Sequence, residues 1–131
     1  MRVVLKSSGT LPEWSSIDKG VTSALLRVEA CRTLDRLLHD QRLDTAEYSF
    51  KLAEVDGILD ELTIVPIDDG VLELACGRLP VRLATLDMIH LSSALDYLSR
   101  KSLQPSALSF ATHDVALANA ARAAGFPVLG V

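Results

Sequence analysis

Three acids of this chain occupy places where a carboxylate could do more than solvate a surface: Asp87, Asp114 and Glu29. Asp87 lies in Thr85-Leu86-Asp87-Met88-Ile89-His90-Leu91-Ser92-Ser93-Ala94-Leu95. At helical spacing it lines up with Leu91, Ala94 and Leu98, the residues such a helix would bury. A carboxylate on an apolar stripe is costly unless something compensates it, and a bound cation is one compensation. The helix dipole favours an acid in a first turn, which explains an Asp there but not its alignment with the stripe. Asp114 follows an apolar run and begins an alanine-rich one. Ligands of open α/β sheets bind beyond the carboxyl ends of the strands, where this residue would sit; helix capping is the stronger reading of its spacing alone. Glu29 lies about 100° or more off the main stripe of its helix, and Arg32, at i+3, offers it an ordinary surface ion pair.

Other candidates have plainer explanations. His90 is one turn after Asp87, which invites a ligand reading, but a packed histidine bonded to backbone is the commoner case. Imidazole also adds little to the chemistry of Mg²⁺. His113 reads as a solvated loop residue and His39 as a partner of a helix C-terminus. Arg27, Arg32, Arg36 and Arg42 fall on one helix and read as a solvated face.

The elements that must position these residues alternate between helix and strand. Residues 22–41 predict a helix with Leu26, Ala30, Leu34, Leu37 and Leu38 as its stripe. Residues 45–61 predict another, opened by Asp44-Thr45-Ala46-Glu47, a capping box with Asp at the cap. Thr63 to Ile67 is a β-branched run and an expected strand. Asp68 or Asp69 caps a helix to about Leu79, which Pro80 ends. A helix from Thr85 to about Arg100 follows, then a strand at Ala107–Ala111. The alanine-rich helix after Asp114 stops at Gly125, and a strand covers 127–131. Val3-Val4-Leu5 fits either a strand or the end of a helix. The alternation is the signature of an α/β fold, a parallel sheet flanked by helices.

At 131 residues the chain is expected to be one domain, and its 49% hydrophobic and 23% charged residues are those of a globular protein. A net charge of -4 argues against broad adhesion to nucleic acid or anionic membrane, yet leaves room for a cation-binding acidic pocket with a basic rim. No apolar run approaches the roughly 18 residues that span a bilayer. The start reads as no secretory signal, so a cytoplasmic protein away from membranes is the default. Cys31 and Cys76 lack metal-ligand spacing and are expected to be inert buried thiols.

Taken together, Thr22-Ser23-Ala24-Leu25-Leu26-Arg27-Val28-Glu29, then Leu86 to Leu95, then Ala111-Thr112-His113-Asp114-Val115-Ala116-Leu117-Ala118-Asn119-Ala120-Ala121, with the trailing Gly125-Phe126-Pro127-Val128, resemble the PIN-domain family. Within that family they are most similar to the VapC-type toxins of bacterial toxin–antitoxin pairs. Order and spacing agree over residues 15–131, and the middle block is the most specific. The resemblance implies a three-layer fold, a parallel sheet between helices, and a cluster of acids binding Mg²⁺ or Mn²⁺. It implies endoribonuclease activity on an RNA substrate and a cognate antitoxin as partner. Glu29, Asp87 and Asp114 match three of the family's acids, and Thr112 matches the hydroxyl residue that helps position substrate or a metal-bound water. With the 49% apolar content, the resemblance also suggests a homodimer.

The chemistry would be coherent. Phosphodiester hydrolysis needs an activated water and charge relief on the leaving oxygen, and divalent ions supply both. The departure is at the start: the family opens with a strand ending in Asp, whereas here no Asp precedes Asp18, and Asp18 is too near the Glu29 helix to replace it. The expectation is therefore a PIN-like domain over 1–131 that lacks the family's first strand and first acid, unless residues 2–7 substitute as a strand. The expected function is a metal-dependent endoribonuclease toxin with impaired activity. The rivals are a catalytically weakened PIN-like protein acting through antitoxin or self-association, and a purely structural α/β domain.

Overall fold

The computed structural model describes residues 2–5 as backbone and residues 19–131 in full. Asp18 and residues 6–7 of the proposed substitute strand lie outside the described residues. The elements run β1 Arg2–Leu5, β2 Lys19–Ser23, α1 Leu25–His39, α2 Thr45–Asp60, β3 Thr63–Val65, α3 Asp69–Ala75 and α4 Thr85–Arg100. A single 3₁₀ turn at Pro105–Ala107 then leads to β4 Ser109–Ala111, α5 Val115–Ala123 and β5 Val128–Leu129.

The described strands form a five-stranded sheet in the order β3-β2-β1-β4-β5. Every pairing is parallel. Val3-Val4-Leu5 is strand, not helix end, and it is central: Val4 lies opposite Val21 of β2 on one side and Phe110 of β4 on the other. An α/β architecture with short parallel strands is what the alternation led us to expect.

The largest correction falls on residues 22–41. Lys19 to Ser23 are strand, and the helix begins at Leu25. Val21 and Thr22 are β-branched and fully buried, which suits a central parallel strand covered on both faces. The Ser23 hydroxyl then accepts the Leu25 N–H at 2.9 Å and turns the chain into α1. Of the expected stripe only Leu34 is buried; Leu26, Ala30, Leu37 and Leu38 are half-buried. The helix after Asp68 also stops early, at Ala75, where Cys76 and Gly77 take the final turn. Cys76 is therefore exposed and Cys31 half-buried, so neither is the buried thiol expected.

Other boundaries follow the local chemistry. Asp44 accepts the Glu47 N–H while Glu47 accepts that of Asp44, the reciprocal capping box. Asp68 caps α3 through the Val71 N–H. Arg100 donates to both Asp96 and Asp68 at 2.7 Å, joining the end of α4 to the start of α3. The hydrogen bond and charge of Asp96, then the charge of Asp68, raise the Arg100 pKa further. Gly125, at φ +98°, closes α5 where a side chain would be strained.

The core gathers around α4, β4 and α5. Leu91, Leu108, Phe110 and Leu117 are fully buried, and the rings of Phe110 and Phe126 pack with centroids 5.7 Å apart. Each such side chain contributes about 1.5–3 kcal/mol by leaving water.

Candidate active site

The sheet order fixes where a ligand would enter. From β1 the chain builds outward through β2 and β3 on one side and β4 and β5 on the other, so its direction reverses between β1 and β4. Open α/β sheets bind ligands in the crevice outside the carboxyl ends at such a point. Asp114 follows the carboxyl end of β4. Helix α1, carrying Glu29, starts directly after β2. A helix that returns the chain to the amino end of a parallel strand runs against the strands. Thus α4, which precedes β4, carries Asp87 in the turn directed to the carboxyl side.

Asp87 lies in the first turn of α4, half-buried, above a stripe in which Leu91, Ala94 and Leu98 are 3% exposed or less. The in-facing alignment read from the spacing is therefore real. His90, one turn on, has no exposed surface at all, and its Nε2–H donates to the Glu29 carboxylate. The carboxylate is the acceptor, which assigns the ring proton to Nε2. His90 is thus packed, as expected, but its partner here is a side chain of another helix rather than backbone. Residues three apart on a helix are neighbours, with about 5–6 Å between their Cβ atoms. The Glu29 carboxylate is therefore held on the helix that carries Asp87.

Glu29 does not take the expected ion pair with Arg32. Arg32 reaches Asp35 at 2.9 Å instead. The Glu29 side chain keeps 28% of its surface exposed, so it is neither sealed in the core nor free on the surface. Arg27, in the first turn of α1, reaches Asp56 of α2 at 3.5 Å. It lines a cleft of about 560 Å³ with Ser23, Ala24, Asp56, Asp60 and Ile64. Arg32, Arg36 and Arg42 are exposed, the solvated face anticipated, though Arg42 falls beyond the end of α1.

Asp114 is exposed and caps α5, its Oδ1 accepting the Leu117 N–H at 2.8 Å. Thr112 is buried, and its Oγ1 accepts the Asp114 N–H at 3.0 Å, so it fixes the turn from which Asp114 projects. His113 Nδ1–H donates to the Gly130 carbonyl at 2.8 Å. Gly130, at φ +93°, is required there: a Cβ would stand 2.7 Å from the Thr112 carbonyl oxygen.

Three carboxylates are the right donors for a hard dication. Among the described residues, however, no group of three or more His, Cys, Asp or Glu side chains converges to hold a metal ion. The demand of Mg²⁺ is smaller, since it commonly keeps its waters and takes one or two carboxylates. Glu29 and Asp87, on two helices linked through His90, are the pair of carboxylates to test against that demand. The feature that sequence reasoning missed is the hydrogen bond between His90 and Glu29, because nothing local couples His90 to a residue 61 positions earlier.

Comparison with known proteins adds one further observation. The chain is 40% identical over 74 residues to Ribonuclease VapC46 of Mycobacterium tuberculosis. The match covers 56% of this chain and 49% of that protein, so the chain spans about half the length of the curated relative it matches. No protein-family model matches. The match supports kinship with the VapC-type toxin ribonucleases. Among the described residues no helix is long and apolar enough to cross a membrane.

Proposed function

We propose that this chain is an endoribonuclease toxin of a toxin–antitoxin pair, a single PIN-like domain with its sheet layered between helices. The 74-residue match to a VapC ribonuclease carries the reading. The pairing of Glu29 with His90, one turn from Asp87, supports it from the geometry. Glu29, Asp87 and Asp114 are the acids of the site, and Mg²⁺ or Mn²⁺ is the ion they would hold. When bound, such an ion supplies an activated water and charge relief on the leaving oxygen.

The chain's own residues do the rest. Asp87 and Glu29 give charge and aim at the site. Thr112 holds the Asp114 turn through the Asp114 N–H, which orients whatever Asp114 contacts. Arg27, at the cleft beside α1, is the cation available to an RNA phosphate. With three acids matching where the family pattern has four, weak metal binding and slow cleavage are the expected behaviour. The protein works as a homodimer in the cytoplasm, restrained by an antitoxin that covers the acidic pocket with an Arg, whose fork suits carboxylates.

The test is cleavage of a mixed single-stranded RNA with Mn²⁺, with EDTA and with the Asp87→Asn variant. Cleavage that needs Mn²⁺ and falls in the variant is expected; cleavage equal in all three, or absent at any Mn²⁺ concentration, would overturn the ribonuclease reading. Light scattering of a monomer at tens of micromolar, a concentration in the range of a weak dimer, would remove the homodimer.

A further inference from the structure

We infer that His90 is a positioning residue for Glu29: its buried ring fixes the Glu29 carboxylate on the helix that also carries Asp87 and ties α1 to α4. This rests on the ribonuclease reading and deepens it. Three observations carry it. First, the imidazole has no exposed surface and is enclosed by α4 and its surroundings, so it cannot follow a wandering partner. Second, its Nε2–H is spent on one Glu29 oxygen, Oε1. A carboxylate has two oxygens and about four acceptor positions, so the other oxygen stays available to a ligand. The Glu29 side chain is also partly exposed. Third, α1 is poorly anchored by its own packing. Leu34 is its one buried residue among the described residues, and the helix lies chiefly along α2. The cations near Glu29 in sequence reach other acids, Arg27 towards Asp56 and Arg32 towards Asp35.

Together these make the His90–Glu29 hydrogen bond the polar joint by which a loosely held helix presents its acid to a firmly held one. A site acid on a flexible side chain and a half-buried helix would otherwise sample many positions, and a misplacement of about 1 Å can cost about 100-fold in rate. Partners that orient a metal-binding group characteristically change metal affinity by about 10–100-fold when removed.

The inference separates positioning from mere packing through two substitutions. His90→Phe fills the space and removes the donor. His90→Gln keeps an N–H donor at nearly the reach of Nε2. For folded variants, Mn²⁺ affinity measured by isothermal titration is expected to fall about tenfold or more in His90→Phe and to be largely restored in His90→Gln. A folded His90→Phe that binds Mn²⁺ and cleaves RNA as the parent does would overturn the inference. So would equal losses in both variants, since packing alone would produce those.

A second measurement needs neither metal nor activity. In the ¹⁵N-histidine spectrum of the metal-free protein, the Nε2–H signal of His90 is expected to be slow to exchange and to shift in Glu29→Gln. A His90 signal indifferent to Glu29→Gln overturns the positioning role even if the protein is a ribonuclease. A shifted signal in a protein that neither binds Mn²⁺ nor cuts RNA upholds the joint while the functional reading falls.

Discussion

Helices α2 and α4 are both 16 residues long, and each carries eight apolar or aromatic side chains. Nine residues of α4 are buried, whereas α2 contributes none among the described residues. Amount is therefore not what separates them; arrangement is. In α4, Met88, Leu91, Ala94 and Leu98 recur on one face and meet the core. In α2, Tyr48, Phe50, Leu52, Val55, Ile58 and Leu59 spread around the axis, and Phe50 is 63% exposed. Helix α1 belongs with α2, along which it lies. The candidate site thus draws Asp87 from the tightly packed half and Glu29 from the loosely packed one.

The largest expected effect tests the tight half. Leu91→Ala removes a fully buried side chain and should cost about 2–5 kcal/mol in urea melts. A cost under about 1 kcal/mol would mean that α4 is not the core helix described. Next comes Asp114→Ala, which deletes the cap of α5 and should cost about 1 kcal/mol. Asp114→Asn keeps a capping oxygen and should restore most of that stability, so any loss of cleavage that persists in Asn reports the charge rather than the cap. A fall in stability equal to that of Ala would show that the cap is not what Asp114 supplies.

That pair of variants bears on what was legible in the sequence. Helix α4 was visible at both ends, because its stripe and Arg100 are local signals. The capping box of α2 was visible for the same reason. The strand at Lys19–Ser23 was not, since Thr22 and Ser23 also suit a helix start, and only pairing with β1 and β3 decides between the two. The central role of Arg2–Leu5 is likewise a long-range fact, set by partners at Val21 and Phe110. In the site, the in-facing Asp87 came from periodicity, and Asp114 from its place after a strand. Glu29 could be named only by resemblance, because what directs it is His90, on another helix.

Two smaller effects sharpen the contrast. Asp87→Asn exchanges charge for an amide of similar volume. It should change stability by only a few tenths of a kcal/mol through the helix dipole, while weakening Mn²⁺ binding in calorimetric titration. An unchanged Mn²⁺ isotherm would remove Asp87 from the metal ligands. Phe50→Ala, in the loose half, should stay within about 0.5 kcal/mol of the parent in the same melts. A loss of 2 kcal/mol or more, the range of a buried aromatic, would show that α2 is covered in solution.

The most direct test of a site shared between the two halves is paramagnetic broadening by substoichiometric Mn²⁺ in the amide spectrum of the ¹⁵N-labelled protein. The account predicts that signals around Glu29 on α1 and Asp87 on α4 broaden together, while those around Phe50 on α2 stay sharp. Broadening confined to Asp68 and Asp96, where Arg100 already sits between two acids, or no selective broadening at all, would contradict it.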